Sequence, residues 1–162
     1  MIDHHQVAID ISIYMQKHTK WDRLQDILRK IIWAQSWEIK HMKILVRQLP
    51  DNVSKMGKNR QWITMGTTYP PNVKGFTNTF CDPLFFNPHF SHMKNNMTDE
   101  YYIEHMIPHH QVAVNMSKKI LESTNSDVIL YLANNIIKSQ EGEIIYLTSL
   151  KKSYKYNSSL VA

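Results

Sequence analysis

The chain has 162 residues, enough for one domain with a buried core and too few for two of ordinary size. Its net charge of +5 comes from lysines and arginines spread along the chain, which favours a solvated surface over a nucleic-acid-binding face. No apolar run is long enough to span a bilayer, and the single cysteine, Cys81, excludes an internal disulfide. We therefore expect neither a nucleic acid nor a membrane as partner.

Residues 1–49 predict a helical hairpin whose first helix carries the adjacent residues His4 and His5. Thr19-x-x-Asp22 has the form of a capping box, which predicts that a second helix begins there. That helix carries apolar residues at helical spacing from Leu24 to Leu45, so it presents a wide stripe to a core.

Residues 50–97 differ in composition from the rest of the chain. They hold five of the six prolines and three of the four glycines, and no helical period survives in them. They are also rich in aromatic residues, which argues against a disordered tether. We expect a long, mostly irregular connection that packs its aromatic side chains along the helices.

Residues 98–154 predict a second hairpin. Its first helix should run from Asp99 to Leu121, with Pro108 inside it, and Thr124-x-x-Asp127 should start its second helix. Residues 155–162 are assigned to a tail. Because one hairpin cannot bury two wide apolar stripes, the two hairpins should pack into a single all-α domain, a four-helix bundle over residues 1–162.

The second hairpin repeats the first without gaps when the sequence is shifted by 105 positions. His4 and His5 fall on His109 and His110. The matches that follow include Gln6, Val7 and Ala8 on Gln111, Val112 and Ala113, and Gln35 and Glu38 on Gln140 and Glu143. Such a match indicates two copies of one supersecondary unit.

The repeated polar residues are candidate metal ligands because imidazole binds copper, zinc, nickel and iron, and a thioether favours Cu(I). Side chains four residues apart share a helix face, and a carboxylate on the paired helix can bind the ion or orient a ligating imidazole. The predicted ligand set comprises His109, His110, Met106, Glu143, Gln140 and His105 in the second half, and His4, His5, Glu38, Gln35 and Met1 in the first.

Two alternatives to a non-enzymatic metal-binding protein follow from the same residues. Buried histidines hydrogen-bonded to Gln or Glu would also form a layer that only specifies packing, in a structural or protein-interaction module. A di-iron oxidase would need a second Glu-x-x-His, but Glu143-Ile144-Ile145-Tyr146 stands where the first half has Glu38-Ile39-Lys40-His41. We therefore predict a non-enzymatic protein.

The motifs resemble a known family. Met106-Ile107-Pro108-His109-His110-Gln111-x-Ala113-x-x-Met116, followed by Leu132-Ala133-x-x-Ile136-Ile137-x-x-Gln140-x-x-Glu143-Ile144, is similar to domain of unknown function 305 of the ferritin superfamily. The resemblance implies a ferritin-like bundle, and since some members bind copper it implies a copper ion, with zinc or iron as alternatives.

The family occurs mostly in exported bacterial proteins and also in large DNA viruses. Because no signal peptide is visible ahead of His4 and His5, we expect an intracellular protein, in the viral setting one of the host cytoplasm. A homodimer is compatible with the sequence.

Overall fold

The computed structural model describes residues 1–48 and 97–160, with side chains up to residue 154. Within these ranges it contains α-helices and no strand, in the order α1 (Ile2–His18), α2 (Asp22–Gln48), α3 (Asp99–Leu121) and α4 (Asp127–Leu160). The predicted all-α four-helix bundle is confirmed.

Helix α3 begins and ends at the predicted residues. Thr98 precedes it in extended conformation, and its side-chain oxygen accepts a hydrogen bond from the Tyr101 backbone N–H at 3.1 Å. Asp99 and Glu100 lie in the first turn, where a negative charge faces the positive end of the helix dipole. Pro108 lies inside the helix, as predicted.

The predicted capping boxes are wrong in detail. Thr19 Oγ1 accepts from the Trp21 N–H at 3.1 Å, and Thr124 Oγ1 accepts from the Ser126 N–H at 3.2 Å. Each hydroxyl therefore bonds the residue two positions later rather than three, and closes a turn ahead of the helix. The helices begin at Asp22 and Asp127, the last residues of the predicted boxes, rather than directly after the threonines.

The four helices pair as two hairpins, α1 with α2 and α3 with α4, which meet through α1 against α3 and α2 against α4. The hydroxyls of Ser12 and Tyr102 lie 2.8 Å apart in a buried hydrogen bond, while the ring of His4 lies against His109. Since residue numbers rise along α1 as they fall along α3, these two helices are antiparallel. Helices α2 and α3 therefore lie diagonally and run in the same direction.

The core has two apolar clusters. The larger contains Val7, Ala8, Ile11, Met15, Leu24, Ile27, Leu28, Ile31, Tyr102, Ile103, Met106, Leu147 and Leu150. The smaller contains Ile9, Ile39, Met42, Ala113, Leu132 and Ile136. Between them along the helices lies a set of buried polar side chains, which we call the polar layer: His4, His5, Gln35, Glu38, His109, His110, Gln140 and Glu143.

The connection and the C-terminal tail assigned from the sequence are described only in part. Nearly all of the connection, with its expected aromatic packing, lies outside the described residues. Helix α4 continues to Leu160, into the segment assigned to a tail, since no glycine or proline interrupts the chain there. Among the described residues, none of the helices is both long and apolar enough to cross a bilayer.

Candidate metal site

Each hairpin contains one buried histidine–glutamate pair. His5 Nε2 lies 2.7 Å from Glu38 Oε2, and His110 Nε2 lies 2.8 Å from Glu143 Oε2. The two partners are 33 positions apart in both hairpins, because each pair spans equivalent turns of an antiparallel helix pair. The structure therefore places four of the predicted site residues in two equivalent contacts.

The carboxylates determine the tautomer of these two imidazoles. A carboxylate oxygen can only accept, so the Nε2–H of His5 and that of His110 must donate to the glutamates. The lone pair of each ring is then on Nδ1. Neither Nδ1 atom has a hydrogen-bond partner among the described residues. A carboxylate that holds the second nitrogen of an imidazole in this way is the usual support for a metal-binding histidine.

The other two histidines of the layer lie face to face between the hairpins. The ring centroids of His4 and His109 are 3.7 Å apart, with 29° between the ring planes. These residues occupy equivalent positions in the two halves, so the stack joins α1 to α3. Both ring nitrogens of His109 are buried without a hydrogen-bond partner in the described part of the chain.

The two glutamines differ in their surroundings. Gln140 Nε2 lies 3.5 Å from His5 Nε2, across the two hairpins. Both nitrogens are donors once His5 Nε2–H bonds Glu38, so this contact is not a hydrogen bond, and Gln140 Oε1 also lacks a partner among the described residues. Gln35 is 1% exposed, and both of its amide atoms lack a partner among the described side chains and backbone. A buried polar group without a partner costs about 1–3 kcal/mol, so these atoms are candidates for contact with a ligand.

Burial lowers the pKa of four of the histidines. Desolvation lowers the pKa of His4 and of His109 well below 6.5, and neighbouring histidines lower each further. Desolvation also lowers the pKa of His5, although its hydrogen bond to Glu38 acts in the opposite direction. Burial lowers the pKa of His105 to about 4. At neutral pH these four imidazoles carry a lone pair, which metal coordination requires.

The remaining predicted ligands lie at the border of the layer. Met106 is fully buried in the larger apolar cluster, and the half-buried Met1 packs against the smaller one. His105 is buried on α3, with its ring centroid 6.0 Å from that of His109. Within the described residues, no three His, Cys, Asp or Glu side chains already stand in a metal-binding arrangement. Ligation by each of these residues stays a prediction.

Sequence reasoning missed a polar residue that supports the site. Ser139 Oγ donates to Glu143 Oε1 at 3.3 Å, from one turn earlier on α4. The equivalent position in the first hairpin is Ala34, which cannot donate. The spacing of four residues was the available signal, but serine on a helix is too common to point to a site alone.

The chain matches domain of unknown function 305 (DUF305) over residues 1–74 and 87–151, two successive regions that correspond to the two halves. The chain belongs to the DUF305 family. A curated relative, the uncharacterized protein L153 of Acanthamoeba polyphaga mimivirus, is 39% identical to this DUF305 protein over 62 residues. That stretch is 38% of the chain and spans only 41% of the relative.

Solved structures share the fold. The DUF305 protein is similar to CopM in its Cu(II)-bound form, with a TM-score of 0.64 and 26% identity over 95% of this chain and 92% of CopM. The Cu(I)-bound form of CopM gives 0.61 and 26% over 95% and 91%. A DUF305 fragment from Deinococcus radiodurans, 19% identical with a TM-score of 0.61 over 94% and 91%, shows the fold alone.

Proposed function

We propose that this DUF305 protein is a non-enzymatic metal-binding bundle that holds copper in the polar layer. The proposal rests on buried ring nitrogens that have no hydrogen-bond partner among the described residues. These are above all Nδ1 of His5, Nδ1 of His110 and both ring nitrogens of His109. Carboxylates orient the imidazoles of His5 and His110, as is usual for metal-binding histidines, and burial lowers the pKa of His5 and of His109.

Copper is the ion that the similarity favours, because CopM structures carry Cu(II) and Cu(I). In this proposal His5, His109 and His110 supply the imidazole nitrogens, with His4 beside them. Glu38 and Glu143 orient the rings. Gln35, Gln140, Met106 and Met1 are further candidate contacts, and the two thioethers suit Cu(I). Zinc and iron are the alternative ions for the same donors.

We propose binding rather than catalysis because the layer is closed to solvent. His5, His109, His110, Gln140 and Glu143 are all fully buried. A groove among the described residues is lined by Ile32, Trp33 and Trp37, on the outer side of α2 away from the layer. A substrate in that groove would not reach the candidate ligands.

Elemental analysis of the protein purified with and without added copper tests the proposal. His109→Phe keeps a flat ring against His4 while removing both nitrogens, so it should fold and lose copper. His41→Phe is the matched control, because His41 lies on α2 with its Nδ1 bonded to the Trp37 carbonyl oxygen at 2.8 Å. Wild type and control should hold stoichiometric copper. Zinc or iron in place of copper would show that the site binds a different metal ion from the one proposed.

Thermal unfolding adds a second readout. A ligand present at about 100 times its dissociation constant stabilises the folded state by about 2.7 kcal/mol, so copper should raise the Tm of wild type and of His41→Phe. It should leave the Tm of His109→Phe unchanged. Negligible copper in folded wild type, with no shift in Tm, would rule out metal binding.

A second candidate is a structural or interaction module in which the layer only specifies packing. The two histidine–glutamate hydrogen bonds favour it, because buried hydrogen bonds of this kind fix how two helices pair. In that case His109→Phe would change the Tm equally with and without copper.

A further inference from the structure

The closed polar layer raises the question of how an ion enters it. Among its histidines His5, His109 and His110 are fully buried, whereas His4 retains 5% exposure. His105, just outside the layer, retains 6%. His4 and His105 both neighbour His109, one from α1 and one from α3, so the accessible border of the layer lies on the α1–α3 side.

Aromatic side chains of α3 form a continuous row of rings on this side. Tyr101, His105 and His109 are spaced by four residues, so they share one helix face. The ring of Tyr101 is 40% exposed and lies 6.3 Å from His105, nearly parallel to it at 18°. The next ring is that of His109, and beyond it lies His4. This row of rings therefore extends from the solvent-exposed Tyr101 to the buried centre of the bundle.

The spacing of the rings distinguishes two of these contacts. A metal–nitrogen bond of about 2.0–2.1 Å places an ion about 3.2 Å from the centroid of an imidazole, so two rings that share an ion at a wide angle are about 5.5–6.4 Å apart. The 6.0 Å between His105 and His109 falls in this range. The 3.7 Å between His4 and His109 is too short, since stacked rings direct their lone pairs side by side.

We propose that His105 and His109 form an outer two-histidine site that captures Cu(I) and passes it to the polar layer. The inference rests on the proposed copper binding and adds the route to it. Cu(I) accepts two nitrogen donors, and an ion held by only two side chains exchanges readily. Because His109 is also a member of the layer, an ion bound at the outer site is already attached to one inner ligand.

Two other histidines on the helices lack these features and serve as comparisons. His18 stacks on Tyr14, and His41 on Trp37, as His105 stacks on Tyr101. The positions four residues further on are Asp22 and Leu45, so neither histidine belongs to a pair.

Stopped-flow transfer of Cu(I) from its bicinchoninate complex, under anaerobic conditions, tests the route in the full chain. His105→Leu should slow uptake about tenfold while the final copper content stays that of wild type. His105→Met restores a soft donor at the same place and should recover the wild-type rate. His41→Leu, the matched control, should take up copper at the wild-type rate.

The outcomes separate the route from the site. Uptake by His105→Leu at the wild-type rate would overturn the capture site and leave the proposed function standing. Loss of the final copper content in folded His105→Leu would also overturn it, because His105 would then be a permanent ligand. Failure of wild type to take up Cu(I) would overturn the proposed function and the route together, whereas slow uptake rescued by His105→Met supports the route.

Discussion

The two hairpins hold the same chemical pair in different surroundings. The Nε2–Oε2 distance is 2.7 Å in the His5–Glu38 pair and 2.8 Å in the His110–Glu143 pair, and both pairs are buried. Glu143 also accepts from Ser139, while Ala34 leaves Glu38 without that donor. The contact that orients the imidazole is thus present twice, and the groups that support it are present once.

The glutamines differ less than the surroundings of the glutamates. Gln140 Nε2 lies 3.5 Å from His5 Nε2, but both nitrogens are donors, so neither glutamine gains a hydrogen bond across the hairpins. Gln140 Oε1 and both amide atoms of Gln35 have no hydrogen-bond partner within the described ranges. The difference between the halves therefore lies at the carboxylates, and stability measurements on matched substitutions can test it.

The largest effect is expected from removing a buried carboxylate. Glu143→Leu fills the space but leaves His110 without its acceptor and Ser139 without its partner. A buried donor left without its acceptor costs about 1–3 kcal/mol, so with two such donors the free energy of unfolding of the metal-free protein in urea should fall by about 3 kcal/mol. Glu38→Leu should lower the free energy of unfolding by about 1 kcal/mol less, because no serine hydroxyl loses its acceptor in the first hairpin.

The control for this pair of substitutions lies on the same helix. Glu141 forms an exposed ion pair with Lys118 at 2.8 Å, and Glu141→Leu should change stability by about 0.5 kcal/mol or less. Equal losses for Glu143→Leu and Glu38→Leu would show that the Ser139 bond adds nothing. Losses no larger than that of Glu141→Leu would contradict the importance of both buried pairs.

A smaller effect is expected at the contact between the hairpins. Tyr102→Phe leaves the Ser12 hydroxyl buried without its partner, and should cost about 1–2 kcal/mol. Ser12→Ala should cost a similar amount. The double variant should lose less than the two single losses combined, with a coupling of about 1 kcal/mol. Tyr101→Phe, at an exposed neighbouring ring, is the control, and additive losses would argue against the hydrogen bond.

The smallest effect, equal in sign in the two hairpins, is expected at the glutamines. Gln35→Leu removes an unpaired buried amide and should stabilise the metal-free protein by up to about 1 kcal/mol. Gln140→Leu should also stabilise it by up to about 1 kcal/mol, because Gln140 Oε1 lacks a partner among the described residues. Denaturation in urea measures both. A loss of stability in either variant would mean that its amide is satisfied in the folded protein.

Much of the fold was predictable from the sequence. The apolar stripe and the acidic first turn located α3 to the residue, and the repeat indicated that each His-His motif faces a Gln-x-x-Glu on the paired helix. Both features depend on positions within one helix or one hairpin, where spacing in sequence determines spacing in the structure.

The arrangement between hairpins was not predictable in the same way. The stacking of His4 on His109 depends on which helix faces meet, and sequence spacing within a hairpin carries no such information. The tautomers of His5 and His110 follow only from the observed Nε2 contacts. Met106 shows the same limit, because a methionine one turn from a histidine can face an ion or the apolar core, and here it packs in the core cluster.

The stack of His4 on His109 has a consequence for how such a protein can diverge. A residue that packs against its own counterpart lies close to the approximate two-fold axis expected of two equivalent halves, so this contact locates that axis. Two separate copies of one hairpin could assemble around the same axis, but every change would then appear on both sides. Joining the copies in one polypeptide removes that constraint, and Ser139, whose counterpart is Ala34, acts on one side alone.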